Sequence, residues 1–225
     1  MEYPTNKNMH VSHETIYTYL YVLPRGELRK ELLSCLRQER TLWRKRGKMH
    51  SKRGHIQDMV SISERPKEVE NRIVPGHWEG DLIVGKGRHS ALGTLVERTT
   101  RTTILVHLKE KDAQAVRKAF ARETKNLPKH MKLSLTYDRG KEMAEHKLFT
   151  KETEIQVYFA DPYAPWQRGT NENTNGLIRQ YFPKGTDFGK IPRKEVKRVQ
   201  DLLNGRPRKV LKWQTPFEAF VALTT

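Results

Sequence analysis

Three acidic residues have neighbours and spacing that suit metal-dependent chemistry on phosphodiesters. Asp81 lies within the apolar run WEGDLIVG, Asp138 follows the run LSLTY, and Glu172 stands among asparagines in QRGTNENTNG. Carboxylates that gather at one point repel each other unless cations neutralise them, and such hard oxygen ligands prefer Mg²⁺ or Mn²⁺. Two such ions, roughly 3.5–4 Å apart, activate an attacking oxygen and stabilise a leaving one. The three residues therefore indicate a divalent metal site, provided that the fold brings them together.

Each of these carboxylates also has an ordinary structural explanation. An aspartate before Arg-Gly, such as Asp138, is commonly a turn residue. Asp81 could form a salt bridge with a neighbouring arginine, and Glu79 is a rival for its role because residues two apart share one face of a strand. Glu172 could simply complement the dipole of its helix. Only the joint placement of all three on one fold favours the metal site.

The segments around these residues predict a mixed sheet. Short β-prone runs and helical periodicities alternate in the order β-β-β-α-β-α-β-α, with Asp112 as a helix N-cap. This order predicts an α/β protein with the ribonuclease H-like fold and a mixed five-stranded sheet. The first and fourth strands are neighbours in such a sheet, so Asp81 should lie beside Asp138. Glu172, in the first turn of the last of these helices, should lean over the same edge.

The charge of the chain points to a polyanionic partner. The 225 residues carry a net charge of +17. Two basic arms, residues 25–55 and 179–212, each hold eleven Lys and Arg against three acids. A near-neutral body between two basic arms suggests a protein that clamps nucleic acid. A ribosome-associated or nonspecifically basic protein is the alternative.

The single cysteine and the lack of long apolar runs bear on the compartment. Cys35 has no partner within the chain for a disulfide or for a Cys-x-x-Cys zinc site. No apolar run approaches the roughly 18 residues that span a bilayer, and the N-terminus does not resemble a secretory signal. These features predict a soluble cytosolic protein that does not contact the membrane.

Several segments resemble bacterial insertion-sequence transposases of the insertion sequence thirty family, within the DDE group. The most distinctive are Trp-Glu-Gly-Asp, Tyr-Asp-Arg-Gly and Arg-Gly-Thr-Asn-Glu-Asn, and the resemblance extends from about Val11 to Phe220. The 33 residues between Asp138 and Glu172 also fit the spacing of such enzymes. The resemblance implies that Asp81, Asp138 and Glu172 are the catalytic and metal-ligating triad, with two Mg²⁺ or Mn²⁺ ions.

The resemblance also implies substrates and partners. Such enzymes bind the terminal inverted repeats of a mobile element, cleave at its ends and join the freed 3′-hydroxyls to target DNA. The expected partners are double-stranded DNA and further copies of the chain, in a homodimer or a larger synaptic complex. The expected location is the bacterial cytoplasm, in association with the nucleoid.

The N-terminal part departs from the family pattern. Residues 1–54 are interpreted as a helical, basic DNA-binding remnant and linker, with Ser12 as a helix N-cap, and residues 55–225 as the catalytic core with C-terminal helices. Family members carry helix-turn-helix modules before this point, so we expect an N-terminally truncated chain. One alternative is therefore a catalytically incompetent DNA-binding or dimerising fragment that regulates a full-length transposase. A ribonuclease H-type or Holliday-junction nuclease is another. A retroviral-type integrase is disfavoured because its Cys/His zinc module is missing.

Basic and amide residues near the three carboxylates are candidates for DNA contacts. At helical spacing the three asparagines around Glu172 cannot all face the site. Thr170 is the expected N-cap of that helix, and Trp166 is expected to pack beneath its loop rather than to stack on a base. The predicted DNA-binding residues are Lys86, Arg88, Arg139, Lys141, Arg168, Asn171, Asn173 and Asn175.

Overall fold

The computed structural model describes residues 10–23, 26–35, 56–108 and 110–224. The chain divides into two compact units, residues 1–51 and 52–225. In the first unit the described residues form helices α1 (His13–Val22) and α2 (Glu27–Ser34). The backbone N–H of Thr15 donates to the Ser12 hydroxyl at 3.0 Å, which confirms the predicted N-cap. The rest of the predicted basic N-terminal segment lies outside the described residues, and the division into domains stays a prediction.

The second unit contains a mixed five-stranded sheet. Its strands are β1 (His77–Val84), β2 (Ala91–Glu97), β3 (Thr103–His107), β4 (Ser134–Tyr137) and β5 (Gln156–Phe159). They lie in the order β3-β2-β1-β4-β5. The first three strands are antiparallel neighbours, whereas β4 runs parallel to both β1 and β5. The predicted sheet and the predicted adjacency of the first and fourth strands are both confirmed.

Five α-helices complete this unit in the part of the chain that the structure describes. They are α3 (Ala113–Thr124), α4 (His146–Thr153), α5 (Gly169–Tyr181), α6 (Arg193–Asn204) and α7 (Pro216–Thr224). Asp112 caps α3 as predicted, because its carboxylate accepts the N–H of Ala115 at 2.9 Å. No helix in the described ranges is long and apolar enough to cross a membrane.

The alternation of side chains along β1 decides which residues face α5. Trp78 and Leu82 belong to a core cluster that includes residues of α3 and α4. Ile83 belongs to a second cluster, with residues of α5 and α6. Successive residues of a strand point to opposite faces. Glu79 and Asp81 therefore lie on the face of Ile83, beneath α5.

A glycine in β1 allows this strand to pass close to β4. A Cβ added at Gly80 would lie 2.8 Å from the ring carbon Cδ2 of Tyr137, which is shorter than a normal contact. The Tyr137 ring is completely buried and directly precedes Asp138. The missing side chain therefore helps to keep Asp81 and Asp138 close.

Burial of His77 predicts that the fold loses stability in mild acid. Its Nδ1 lies 2.7 Å from the Ser134 hydroxyl. Burial, followed by the charges of Arg98 and Arg65, lowers the pKa of His77 to about 4. The unfolded chain, with a histidine pKa near 6.5, binds this proton more readily, so the free energy of unfolding rises with pH between about 4 and 6.5.

We expect the wild type to lose about 1 kcal/mol more stability than His77→Asn between pH 7 and pH 5, after allowance for solvent screening. Urea denaturation at both pH values measures this difference. The pKa values of Asp81 and Glu97 are raised by burial and give the opposite slope, but they act in both proteins. Equal pH dependence of the two proteins would contradict the assignment to His77.

Candidate active site

Asp81 and Asp138 project from neighbouring parallel strands at the same edge of the sheet. The pairing of β1 with β4 extends to Glu79 and Thr136, and both aspartates lie two residues beyond this last pair. Asp138 is also a turn residue, because its Oδ1 accepts the N–H of Gly140 at 2.8 Å. Asp138 is therefore both a turn residue and a neighbour of Asp81.

The guanidinium of Arg168 lies between the two aspartates. Its Nη1 is 3.5 Å from Oδ1 of Asp81, and its Nη2 is 3.4 Å from Oδ2 of Asp138. Nη1 also donates to the carbonyl oxygen of Gly80 at 3.0 Å. The expected proximity of Asp81 and Asp138 is therefore present, and so is the salt bridge considered as the ordinary explanation of Asp81. The guanidinium of Arg168 therefore supplies the positive charge that two neighbouring carboxylates require.

Asp81 is mostly buried and tightly held. Its Oδ1 accepts the N–H of Leu82 at 2.9 Å, and its Oδ2 accepts Nδ2 of Asn175 at 2.9 Å. Burial raises the pKa of Asp81, Arg168 opposes this effect, and the charge of Asp138 adds to it. The environment therefore disfavours the ionised carboxylate and leaves it in need of more positive charge than Arg168 supplies.

Asn175 holds Asp81 in place. Its amide nitrogen is engaged by that carboxylate, while its Oδ1 is buried and finds no hydrogen-bond partner among the described residues. The expected contact of this residue with DNA stays a prediction. The unsatisfied oxygen adds an acceptor next to the aspartate pair.

Glu172 does not join the two aspartates in this conformation. Its side chain is exposed in the first turn of α5, one turn after Arg168. Across the described ranges, no three His, Cys, Asp or Glu side chains form a group that could hold a metal ion. The three-carboxylate cluster expected from the sequence is thus assembled only in part, with Arg168 between the two aspartates.

Glu79 anchors the start of α5 from below. Its side chain is completely buried, and its Oε2 accepts the backbone N–H of Asn171 at 2.8 Å. The Nδ2 of Asn171 donates to the carbonyl oxygen of Glu79 at 2.8 Å, and the Thr94 hydroxyl donates to the Oδ1 of Asn171 at 3.2 Å. Arg98 completes the network as an ion pair, with its Nε 3.5 Å from Oε1 of Glu79. Glu79 is therefore a structural residue, which removes it as a rival of Asp81.

Two expectations about the first turn of α5 are wrong. Asn171 has no exposed surface, so it cannot contact DNA. Thr170 is not the N-cap, because α5 already begins at Gly169. The Thr170 hydroxyl instead accepts a hydrogen bond from Nη1 of Arg101 at 2.7 Å. The capping group comes from Glu79, which is distant in sequence and could not be identified from local sequence signals.

The remaining predicted DNA contacts lie at the surface. Lys86 and Arg88 are exposed in the turn after β1, Lys141 is exposed after β4, and Asn173 is exposed on α5. Arg139 is half-exposed, and it binds the carbonyl oxygen of Ala160 and the carboxylate of Asp161. Their contacts with DNA stay predictions.

The aromatic residues of the loop before α5 are exposed. Trp166 is 74% exposed, so the expectation that it packs beneath the loop is wrong. Tyr163 is 85% exposed and has a left-handed backbone, with φ 62°. Both residues therefore leave aromatic surface open in the segment that leads to Arg168.

Comparison with known proteins shows that this chain is similar to transposases of insertion sequence elements. Residues 71–165 match the integrase core domain family. The chain is 50% identical over 96% of its length to the transposase for insertion sequence element IS1086 from Cupriavidus metallidurans, and covers 64% of that protein. It is 44% identical over 98% of its length to the transposase InsI for insertion sequence element IS30A from Escherichia coli, and covers 59% of it. The chain thus spans about three-fifths of the length of these curated relatives.

A solved structure is also similar to this chain. The catalytic core domain of BIV integrase has a TM-score of 0.49 and 17% identity, and the match covers 66% of this chain and 95% of that one.

Proposed function

We propose that the chain belongs to the insertion sequence thirty family of transposases, and that it cleaves DNA at the ends of a mobile element and joins them to target DNA. The observation that best supports this proposal is the pair Asp81 and Asp138 around Arg168, at the edge of the sheet where α5 begins. We further propose that the active form is a dimer or a larger complex, because two ends must be joined. It would act on double-stranded DNA in the bacterial cytoplasm, at the nucleoid.

The donors at this edge suit a divalent cation. Asp81 and Asp138 offer carboxylate oxygens, Asn175 offers a buried oxygen without a partner, and Glu172 lies in the same first turns of α5. All are hard oxygen ligands, as Mg²⁺ and Mn²⁺ prefer. The proposed ligands are Asp81, Asp138 and Glu172, for two ions. Bound ions of this kind supply activation of an attacking oxygen and stabilisation of a leaving one.

Residues of the chain itself hold the two aspartates in position and neutralise their charge. Parallel strands β1 and β4 fix the two aspartates, and Asn175 fixes one oxygen of Asp81. Arg168 neutralises the pair while no other cation is bound, so it must release the carboxylates when one binds. Released, its planar guanidinium is suited to bind a phosphate of the DNA strand. Exposed lysines and arginines on either side would hold the duplex.

A joining assay tests the proposed function. Duplexes with the terminal inverted repeats that flank the coding sequence are incubated with a supercoiled plasmid, the purified chain and Mg²⁺. We expect covalently joined products that disappear when EDTA replaces Mg²⁺. Salt-sensitive DNA binding without cleavage or joining, in either Mg²⁺ or Mn²⁺, would overturn the proposal and favour a regulatory DNA-binding protein.

We expect Arg168→Gln to bind Mn²⁺ more tightly than the wild type in the absence of DNA. The guanidinium competes with a metal ion for Asp81 and Asp138, and loss of one partly buried ion pair of about 1.4 kcal/mol corresponds to about tenfold in affinity. Electron paramagnetic resonance of free Mn²⁺ measures the binding, and it does not depend on activity. Arg139→Gln is the matched control, because Arg139 binds Ala160 and Asp161 instead. Unchanged or weaker binding by Arg168→Gln would contradict the competition.

A further inference from the structure

A pocket of 330 Å³ lies along α5 and is lined largely by arginines and polar side chains. One arginine follows the short helix Lys67–Asn71, one lies in the turn between β2 and β3, and one follows α6. Among the described residues that line it, none is acidic. The principal lining residues are Arg72, Arg101, Arg208, Thr170, Asn173 and Thr174.

This pocket is separate from the aspartate pair. Thr170 and Thr174 are four residues apart and so share one side of α5. Glu172 and Asn175 are three residues apart and share another side, which carries the contact with Asp81. The helix therefore separates the pocket from the proposed active site, and none of the proposed catalytic residues lines it.

Arg101, which lines this pocket, has one side-chain donor without an acceptor in the described part of the chain. Its Nη1 donates to the Thr170 hydroxyl, but its Nε is buried and has no acceptor in the described part of the chain. Burial, followed by the charge of Arg72, lowers the pKa of Arg101. The charges of Glu79 and Glu97 oppose this effect. A partly buried guanidinium in a pocket with other arginines is stabilised by a further anion.

The positive character of the pocket comes from side chains rather than from the helix terminus. The backbone N–H of Asn171, in the first turn of α5, is already bound by Glu79. Arg72 and Arg101 both have left-handed backbones, with φ 55° and 63°. Glycine or asparagine adopts that conformation at less cost, so arginine there is not explained by the backbone.

We propose that this pocket binds a backbone phosphate of the DNA on which the protein acts. The proposal rests on the proposed function, and it adds a second point of contact on the side of α5 away from the aspartates. Arginine forks suit phosphate oxygens, and the side-chain amide of Asn173 can donate to the same group. A contact on each side of α5 would fix the DNA strand relative to Glu172.

Binding of fluorescein-labelled duplex DNA of arbitrary sequence, followed by anisotropy in EDTA, tests the pocket. Arg72→Gln and Arg101→Gln should each weaken binding severalfold, and each should reduce the slope of log affinity against log salt by about 1 between about 50 and 200 mM salt. Arg206→Gln is the matched control, because Arg206 is exposed close to Arg208 but does not line the pocket. Melting temperatures verify that each variant is folded, and Arg72 is exposed, so its replacement should leave the fold intact.

Wild-type affinity and salt slope in the folded double variant Arg72→Gln/Arg101→Gln would overturn the proposal. A second arm uses inorganic phosphate and measures the shift in melting temperature. If phosphate stabilises the wild type but not the variants, while DNA binding is unchanged, the pocket takes small anions and the proposed DNA contact is wrong. These measurements are made in EDTA, so they report binding alone and do not depend on cleavage or joining. A protein that fails the joining assay can therefore still confirm or overturn the role of the pocket.

Discussion

Asp81→Asn and Asp138→Asn should each reduce strand transfer at least about 100-fold. Loss of a group that merely supports a metal ligand typically costs about 10- to 100-fold, so loss of a ligand itself should cost more. The amide keeps the shape of the side chain but removes the charge that attracts a divalent cation. Rates of joining at saturating Mg²⁺, with equal DNA occupancy verified by anisotropy, measure the effect.

The same variants should remain folded, which separates this loss from simple unfolding. The pKa of Asp81 is raised chiefly by burial, so the fold already disfavours the ionised form that Asn removes. Loss of the contact with Arg168, in contrast, lowers the stability of the variant. We therefore expect the melting temperature of Asp81→Asn to stay within about 4 °C of the wild type, the change for roughly 1 kcal/mol in a chain of this size.

Glu172→Gln provides the sharpest test of the third ligand. In the absence of metal its carboxylate is exposed, so its replacement should not change stability. We nevertheless expect strand transfer to fall as far as in the two aspartate variants. Full activity in all three variants would refute the triad. Full activity in Glu172→Gln alone would assign the chemistry to the aspartate pair.

The order of elements predicted much of the site, because it determines which strands are neighbours. Once β1 and β4 are parallel neighbours, residues just beyond their last pair must meet at one edge, and these residues are Asp81 and Asp138. This inference needed only the alternation of apolar and polar runs along the chain. It did not depend on the conformation of any side chain.

Arg168 and Asn171 have contacts that could not be predicted from the sequence. A basic residue near three carboxylates suggested a contact with DNA, but local sequence did not identify Arg168 as the ion-pair partner of both Asp81 and Asp138. Asparagine in a first turn suggested an exposed capping or binding residue, but Asn171 is buried by contacts with β1 and β2. Both outcomes depend on partners that are about 30 to 90 residues away in the chain, and local propensity carries no information about them.

Glu79→Gln should produce the opposite phenotype to Asp81→Asn, although the two residues are neighbours on one face of β1. Its carboxylate is completely buried, accepts the N–H of Asn171 and faces Arg98. Breaking a buried ion pair by removing one partner costs about 3–5 kcal/mol, because the other charge is left without compensation. For a chain of this size that corresponds to a fall of roughly 10 °C in melting temperature.

The melting temperature and the Mn²⁺ affinity of each variant distinguish these two roles. Glu79→Gln should melt early but bind Mn²⁺ at low temperature, since Asp81 and Asp138 are intact. Asp81→Asn should melt normally and bind Mn²⁺ weakly. Glu195→Gln serves as the control for loss of an exposed ion pair, that with Arg198, and should melt like the wild type. If Glu79→Gln melts normally and loses Mn²⁺ binding, then Glu79 is the ligand and β1 presents its metal-binding carboxylate two residues earlier than we propose.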